Sequence, residues 1–96
     1  MQWITVATPP VTDLAAFDRI CAEAGVPEGM LFRYAGPATD GRLRVVVLWE
    51  SKAHAEAFMA EKLGPAIARV LGPEPGGRPE FVGIEVERAY VPEPAA

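Results

Sequence analysis

The clearest feature of the hydrophobic pattern is the segment from Leu43 to Trp49, in which every residue except Arg44 is apolar. A strand with this pattern is apolar on both faces, so both faces have to be covered. Helices can cover one face. Because 96 residues make a single small domain, we expect a second copy of the protein to cover the other face. The pattern therefore predicts a homodimer built around a strand at residues 42–50.

The residues directly after this strand have the apolar spacing of a helix. Ser51 is a favourable residue for the N-cap of a helix, and apolar residues then recur at intervals of three and four. Gly64 and Pro65 lie inside this pattern. Because proline lacks a backbone N–H and clashes with the preceding turn, we expect a break or kink there, with Pro65 opening a short second helix. The recurring apolar residues are Ala55, Phe58, Met59, Leu63, Ala66, Ile67 and Val70.

A first helix is predicted at residues 13–24. Thr12 can accept hydrogen bonds from the free amides of its first turn. Gly25 and Pro27 end it, because glycine suits a left-handed cap and proline cannot continue a helix. The residues expected on its buried face are Leu14, Phe17, Cys21 and Ala24.

Alternating apolar residues predict three further strands, at residues 2–8, 30–35 and 81–91. Residues 36–41 contain two glycines and a proline and are typical of a hairpin into the central strand. The predicted order is strand, helix, strand, strand, helix, strand. This order is that of an α+β, ferredoxin-like fold, a βαββαβ antiparallel sheet with both helices on one face.

The domain organisation follows from the positions of these elements. Residues 1–91 form a single domain that contains every predicted strand and helix. Two prolines fall among residues 92–96, for which we expect a flexible tail.

Three segments resemble the antibiotic biosynthesis monooxygenase superfamily, and especially its small actinobacterial members: AGPATDG at residues 35–41, WES at 49–51 and AFMAEKLGPAI at 57–67. The resemblance implies a dimeric α/β barrel, in which the sheets of two subunits pack face to face. It also implies a pocket in each subunit between the sheet and the helices. The fold hosts quinone-forming monooxygenases, haem-degrading enzymes and isomerases, so it does not by itself define a reaction.

Composition narrows the classes of partner. The net charge of −4 and the pI near 4.9 argue against a nucleic-acid partner, because the phosphate backbone is also negatively charged. The longest apolar run, residues 45–49, is far shorter than a membrane helix, and no targeting segment precedes it, so we expect a cytoplasmic protein. One His and one Cys cannot form a zinc site, and no glycine-rich turn suggests a nucleotide. Cys21 is expected to behave as a small hydrophobic residue.

Comparison with haem-degrading members of the superfamily also argues against haem binding. By the resemblance, Phe58, Ala68 and Ala7 stand where haem-degrading members carry a tryptophan, a histidine and an asparagine. The chain has no asparagine at all, whereas quinone-forming members use one to hold substrate or oxygen. We therefore expect no cofactor, and any catalytic polar group has to be a different residue.

Four residues remain as catalytic candidates. Tyr34 can donate from its phenol to an oxyanion, and His54 can carry a proton near neutral pH. Arg33 and Arg44 interrupt apolar strands and are edge residues, partners of Glu50, Glu85 or Glu87, or pocket arginines awaiting an anionic oxygen. The alternative interpretation of Tyr34 is packing, and that of His54 is a partly exposed ring in contact with Ser51 or water. The substrate-binding candidates are Trp3, Trp49, Phe58 and Met59, and both tryptophans are also candidates for the core or the dimer interface.

The sequence leaves two hypotheses open. The first is a small-molecule enzyme of this superfamily: a cofactor-free monooxygenase, isomerase or cyclase for a phenolic or polyketide-like substrate of secondary metabolism. Tyr34 and one arginine would hold an enolate oxygen while His54 or a water moves the proton. The alternative is a dimeric module without catalysis, which binds a ligand or acts as a scaffold. An open polar pocket would favour the enzyme, and a pocket filled by Trp3, Phe58 and Met59 would favour the module.

Overall fold

The computed structural model describes residues 1–72 and 80–92. A four-stranded sheet and a layer of helices on one of its faces make up the fold. The strands are β1 (Trp3–Thr8), β2 (Met30–Pro37), β3 (Leu43–Trp49) and β4 (Glu80–Glu85). The helices are α1 (Leu14–Ala24), α2 (Lys52–Phe58) and α3 (Gly64–Leu71), and a π-helical turn (Met59–Leu63) joins the last two.

The strands lie in the order β2–β3–β1–β4, and every neighbouring pair is antiparallel. This is the predicted ferredoxin-like arrangement, in which β3 lies between β1 and β2. The predicted hairpin between β2 and β3 is present, with Pro37 opposite Leu43. Of the tail predicted at residues 92–96, only Pro92 lies within the described residues.

Strand β3 shows why the sheet needs cover on both faces. Leu43, Val45, Val47 and Trp49 are buried beneath the helices, while the residues between them are half-buried on the opposite face. We call that opposite surface the open face, because none of the helices in residues 1–72 and 80–92 covers it. The pairing registers and the alternation of side chains along each strand assign to it Ile4, Val6, Phe32, Tyr34, Arg44, Val46, Leu48, Val82 and Ile84.

Helix α1 differs from its prediction in its cap and its buried face. Asp13 is the N-cap instead of Thr12, and its Oδ1 accepts from the Ala16 N–H at 2.7 Å. Leu14 is 47% exposed, since it lies about 120° around the helix from the buried Ile20 at 3.6 residues per turn. The residues that face the core recur every four positions and are Ala16, Ile20 and Ala24.

The predicted interruption near Gly64 and Pro65 is a π-helical turn. Ser51 caps α2 as expected, and its hydroxyl accepts from the His54 N–H. The N–H of Gly64 reaches back five residues to the Met59 carbonyl, and Pro65 follows with no N–H to donate. The chain accommodates the proline by widening one turn, so the helical path continues into α3.

Strand β4 is shorter than predicted. It ends at Glu85 rather than at residue 91, although the Val86 N–H still donates to the Gln2 carbonyl at 3.1 Å. The reason is the length of its neighbour: among the described strands β4 pairs only with β1, whose first residue, Trp3, lies opposite Glu85. Beyond that point no described strand remains beside β4 to accept hydrogen bonds, and Tyr90 is 87% exposed.

Gly83 of β4 makes room for the Trp3 side chain. A Cβ atom at Gly83 would collide with the Trp3 indole. We expect Gly83→Ala to lower the free energy of unfolding by about 1–3 kcal/mol, because the ring or the edge strand has to move. Urea denaturation followed by circular dichroism measures this change.

The matched control is Gly36→Ala in β2, where an added Cβ meets nothing within 4 Å. It should leave stability unchanged or slightly raised. Equal midpoints for the two variants would show that the indole does not need the space above Gly83.

Candidate functional site

His54 is held by groups on both sides of its ring. Ser51 Oγ lies 2.7 Å from Nδ1 of the ring and also accepts the backbone N–H of His54 at 3.2 Å. On the other side, Glu50 Oε2 lies 3.8 Å from Nε2. The N-cap of a helix thus positions the one imidazole of the chain.

The loop before β2 packs against this imidazole. Gly29 has φ of 79°, and a Cβ there would collide with the His54 ring. Its carbonyl accepts the Glu50 N–H at 2.8 Å. Two features therefore favour glycine at this position: its positive φ and the close approach of the ring.

A small open cleft, with a cavity volume of about 50 Å³, lies beside this histidine on the helix side of the sheet. Its apolar surface comes from Ala57 and Phe58, and charged side chains form its rim. The lining residues are Glu28, His54, Ala57, Phe58, Glu61 and Lys62. Such a cleft offers an aromatic surface and several polar groups to a small molecule.

The space between the sheet and the helices is filled around Trp49. Trp49 is 2% exposed and Phe58 is 8% exposed, with ring centroids 5.4 Å apart. The Trp49 indole N–H donates to Thr5 Oγ1 at 3.1 Å. Trp49 is thus a core residue in this structure, while Phe58 belongs both to the core and to the cleft.

The other two substrate-binding candidates are less enclosed. Met59 is half-buried in the π-helical turn. Trp3 is half-buried beside the core, and Lys52 Nζ lies 5.2 Å from its ring centroid. Neither residue is among those that line the cleft.

Two of the catalytic candidates share the open face. Tyr34 is 69% exposed and packs on Phe32, with ring centroids 5.0 Å apart. Arg44 lies on the neighbouring strand, and its Nη2 is 2.8 Å from Asp40 Oδ2. The partner of this arginine is thus a hairpin aspartate and none of the glutamates expected from the sequence.

The environment of Asp40 supports that ion pair. The backbone N–H of Arg42 donates to Asp40 Oδ1 at 2.9 Å. This hydrogen bond, followed by the charge of Arg44, lowers the pKa of the Asp40 carboxyl. Asp40 therefore remains charged and holds Arg44 at the hairpin end of the open face.

Arg33 lies on the helix side of the edge strand β2, away from Tyr34. Its guanidinium carbon is 5.8 Å from the Phe17 ring centroid. Burial raises the pKa of the nearby Cys21 thiol, and the positive charge of Arg33 only partly opposes this effect. Cys21 is therefore a weak nucleophile, in agreement with its expected role as a small hydrophobic residue.

The structure brings together only part of the predicted set. Tyr34 and Arg44 share one face of the sheet, whereas His54 and Arg33 are on the side of the helices. Sequence reasoning placed His54 next to Phe58 but missed Glu28, Glu61 and Lys62. The signal for the last two was the helical spacing of three and four residues from Phe58; Glu28 reaches the cleft through the loop that carries Gly29.

Among residues 1–72 and 80–92, no three His, Cys, Asp or Glu side chains lie close enough together to hold a metal ion. In that same part of the chain, no helix has the length and apolar character needed to cross a membrane.

No protein-family model matches the chain, and no curated protein sequence matches it. Solved structures do. Rv0793 from Mycobacterium tuberculosis superimposes with a TM-score of 0.68 at 12% identity, over 95% of this chain and 100% of that chain. A monooxygenase from the gene ActVA-Orf6 of Streptomyces coelicolor, in complex with the ligand Nanaomycin D, superimposes with a TM-score of 0.58 at 19% identity. The match covers 96% of this chain and 92% of that chain.

A mutant of SnoaB, a cofactor-independent oxygenase from Streptomyces nogalater, also gives a TM-score of 0.58, at 13% identity over 92% of this chain and 93% of that chain. These matches span nearly the whole of each chain, and their low identities limit what they show to the fold. The chain therefore has the fold of the antibiotic biosynthesis monooxygenases, as its sequence resemblance predicted.

Proposed function

We propose that the protein is a small-molecule enzyme of the antibiotic biosynthesis monooxygenase type. It would act without a cofactor, as a monooxygenase, isomerase or cyclase, on a phenolic or polyketide-like substrate of secondary metabolism. The observation that carries this proposal is the match over 96% of the chain to a monooxygenase with Nanaomycin D bound. The similarity to the cofactor-independent SnoaB supports chemistry that uses side chains alone.

The cleft beside α2 is the proposed substrate site. Phe58 and Ala57 provide an apolar surface for a ring system, and His54 provides a polar group next to it. Histidine can hold or move a proton near neutral pH. The substrate would therefore be a molecule with an aromatic or conjugated body and an oxygen substituent within reach of the imidazole.

A second copy of the chain is the proposed partner of the open face. This face presents apolar side chains from all four strands, and Val82 and Ile84 on its edge strand are exposed in the single chain. Covering it would remove a large apolar surface from water. Tyr34 and Arg44 would then lie within the dimer, where the phenol and the guanidinium could contact a substrate oxygen that reaches the interface.

A non-catalytic module is the second candidate. The observation in its favour is that Trp49 and Phe58 fill the space between sheet and helices, so that the cleft beside Phe58 is small and open. A module of this kind would bind a ligand in the cleft or act as a scaffold. It would retain binding without turnover.

Substitution of the polar candidates separates the two functions. With an enzyme, His54→Ala and Tyr34→Phe should each lower turnover by about 10²-fold, because each removes a proton carrier or hydrogen-bond donor from the reacting group. Both side chains are partly exposed, so melting temperatures should stay within a few degrees of the wild type. Oxygen uptake with phenolic or anthrone-like substrates measures turnover.

The matched control is Tyr90→Phe, which removes the same hydroxyl from a tyrosine that is 87% exposed and outside both sites. This variant should keep the wild-type rate. Wild-type rates for both His54→Ala and Tyr34→Phe would favour the non-catalytic module.

A further inference from the structure

We infer that Ser51 is a positioning residue that holds His54 in the tautomer protonated at Nε2, so that His54 meets a molecule in the cleft as a hydrogen-bond donor. The identity of that molecule as a substrate rests on the proposed function. The tautomer itself rests on the geometry around the ring.

The hydrogen bonds of Ser51 define one end of the imidazole. A hydroxyl has one proton to donate and two lone pairs that accept. Ser51 Oγ already accepts the backbone N–H of His54 at 3.2 Å. Among the described residues its only other partner is His54 Nδ1 at 2.7 Å. The hydroxyl proton is satisfied within the protein only if it points at Nδ1, which then has to be an unprotonated acceptor.

Charges around the ring favour the same tautomer. Nδ1 lies over the first turn of α2, where the partial positive charge of the helix end favours a lone pair over a proton. Nε2 lies on the side of the Glu50 carboxylate, with 3.8 Å between Nε2 and Oε2. A negative charge there favours a proton on Nε2. That distance exceeds a hydrogen bond, so the Nε2 proton remains available to another acceptor.

Contact with Gly29 keeps the ring in this orientation. The ring packs directly on the glycine backbone, and the Gly29 carbonyl is itself tied to the Glu50 N–H at 2.8 Å. The imidazole therefore has a neighbour on its face as well as at both nitrogens. A group held in this way needs little reorganisation when it acts on a bound molecule.

A fixed Nε2–H donor selects the chemistry of the ligand. Its partner has to be an oxygen acceptor, and its hydrogen bond strengthens as negative charge develops on that oxygen. Glu28 and Glu61 on the rim disfavour a ligand that arrives fully anionic, since they outnumber the single Lys62. The class that fits is a neutral carbonyl compound whose oxygen gains negative charge during the reaction.

Nitrogen-15 NMR of the ring tests the tautomer directly, because the chain contains one histidine. Two-bond couplings from the ring protons to nitrogen, recorded at a pH where the imidazole is neutral, should show the wild type protonated at Nε2. Ser51→Asp keeps a good N-cap residue, but its carboxylate can only accept hydrogen bonds. It should move the proton of the neutral ring to Nδ1, which leaves Nε2 without a proton to donate.

Ser51→Ala removes the hydroxyl without adding a charge and should give a mixture of both tautomers. A wild-type ring protonated at Nδ1, or a Ser51→Asp spectrum identical to that of the wild type, would overturn the inference. Melting temperatures of all three proteins identify any variant that fails to fold, and Ser51→Ala should melt slightly below the wild type because it loses the cap.

Turnover of the same variants separates this inference from the proposed function. If the donor role is correct, Ser51→Asp should reduce turnover about as much as His54→Ala does, with the loss mainly in kcat. Activity that survives Ser51→Asp but not His54→Ala would overturn the donor role. If the tautomers behave as expected while no variant changes turnover, the positioning by Ser51 stands and the enzymatic function fails.

Discussion

Replacing Trp49 with alanine should lower the free energy of unfolding by about 3–5 kcal/mol, the usual cost of removing a large aromatic side chain from a core. Trp49 is the largest side chain that is fully buried. It packs against Phe58 and ends the row of β3 side chains beneath the helices. Its loss leaves a cavity between sheet and helices and removes the hydrogen-bond donor that Thr5 Oγ1 accepts from.

Urea denaturation followed by far-ultraviolet circular dichroism measures this loss without depending on tryptophan fluorescence. All variants have to be compared at one protein concentration, because the apparent stability of a dimer depends on it. Trp3→Ala is the matched control. It removes the same group from a half-buried position and should lower the free energy of unfolding by less than Trp49→Ala does. A larger effect for Trp3 than for Trp49 would contradict the assignment of the core.

Placing a charge at the centre of the open face should separate the proposed dimer. Val46 lies on β3 opposite Val6 of β1, the two central strands of the sheet. A lysine there would be buried without a partner between two subunits, and such a charge costs several kcal/mol. In the single chain the same lysine reaches water. Val46→Lys should therefore fold as a monomer.

Light scattering at micromolar concentration measures the result. The wild type should have twice the chain mass of 10.3 kDa, and Val46→Lys should have the chain mass itself. Ala68→Lys adds the same charge to an exposed position on α3 and should remain dimeric. A wild-type mass of 10.3 kDa would show that the open face is not a stable interface between two copies.

The order of elements was predictable because each one leaves a local signature in the sequence. The continuous apolar run of β3, the serine at the start of α2 and the proline in the helical segment all act over a few residues. The predictions were wrong where contacts between distant parts of the chain determine the end of a strand or the buried face of a helix. Strand β4 ends at Glu85 because β1 begins at Trp3, although the alternation continues past that point. Small residues such as Ala16 carry the buried face of α1, and they add little to a hydrophobic pattern.

The candidate site was predictable only in part for the same reason. The pairing of Ser51 with His54 lies within one helical turn and follows from the capping rule. The contact of His54 with Gly29 joins residues that are distant in sequence. Tyr34 and His54 fall on opposite sides of the sheet because strand parity places Tyr34 with Val46 on the open face. Parity along β2 also depends on the bulge between Met30 and Phe32, which no local pattern indicates.

The π-helical turn changes which side chains of the second helical segment face the sheet. Phe58 before the turn and Ile67 after it are both buried, although their separation is about two and a half turns of a regular α-helix, which would place them on opposite sides. The wider turn rotates the chain less per residue and brings both side chains towards the sheet. In evolutionary terms, a related chain that is one residue shorter at this point and lacks Pro65 could run as an unbroken α-helix and present the same surface to the sheet. The stretch Met59–Leu63 is thus a place where this fold can lose a residue without losing its core.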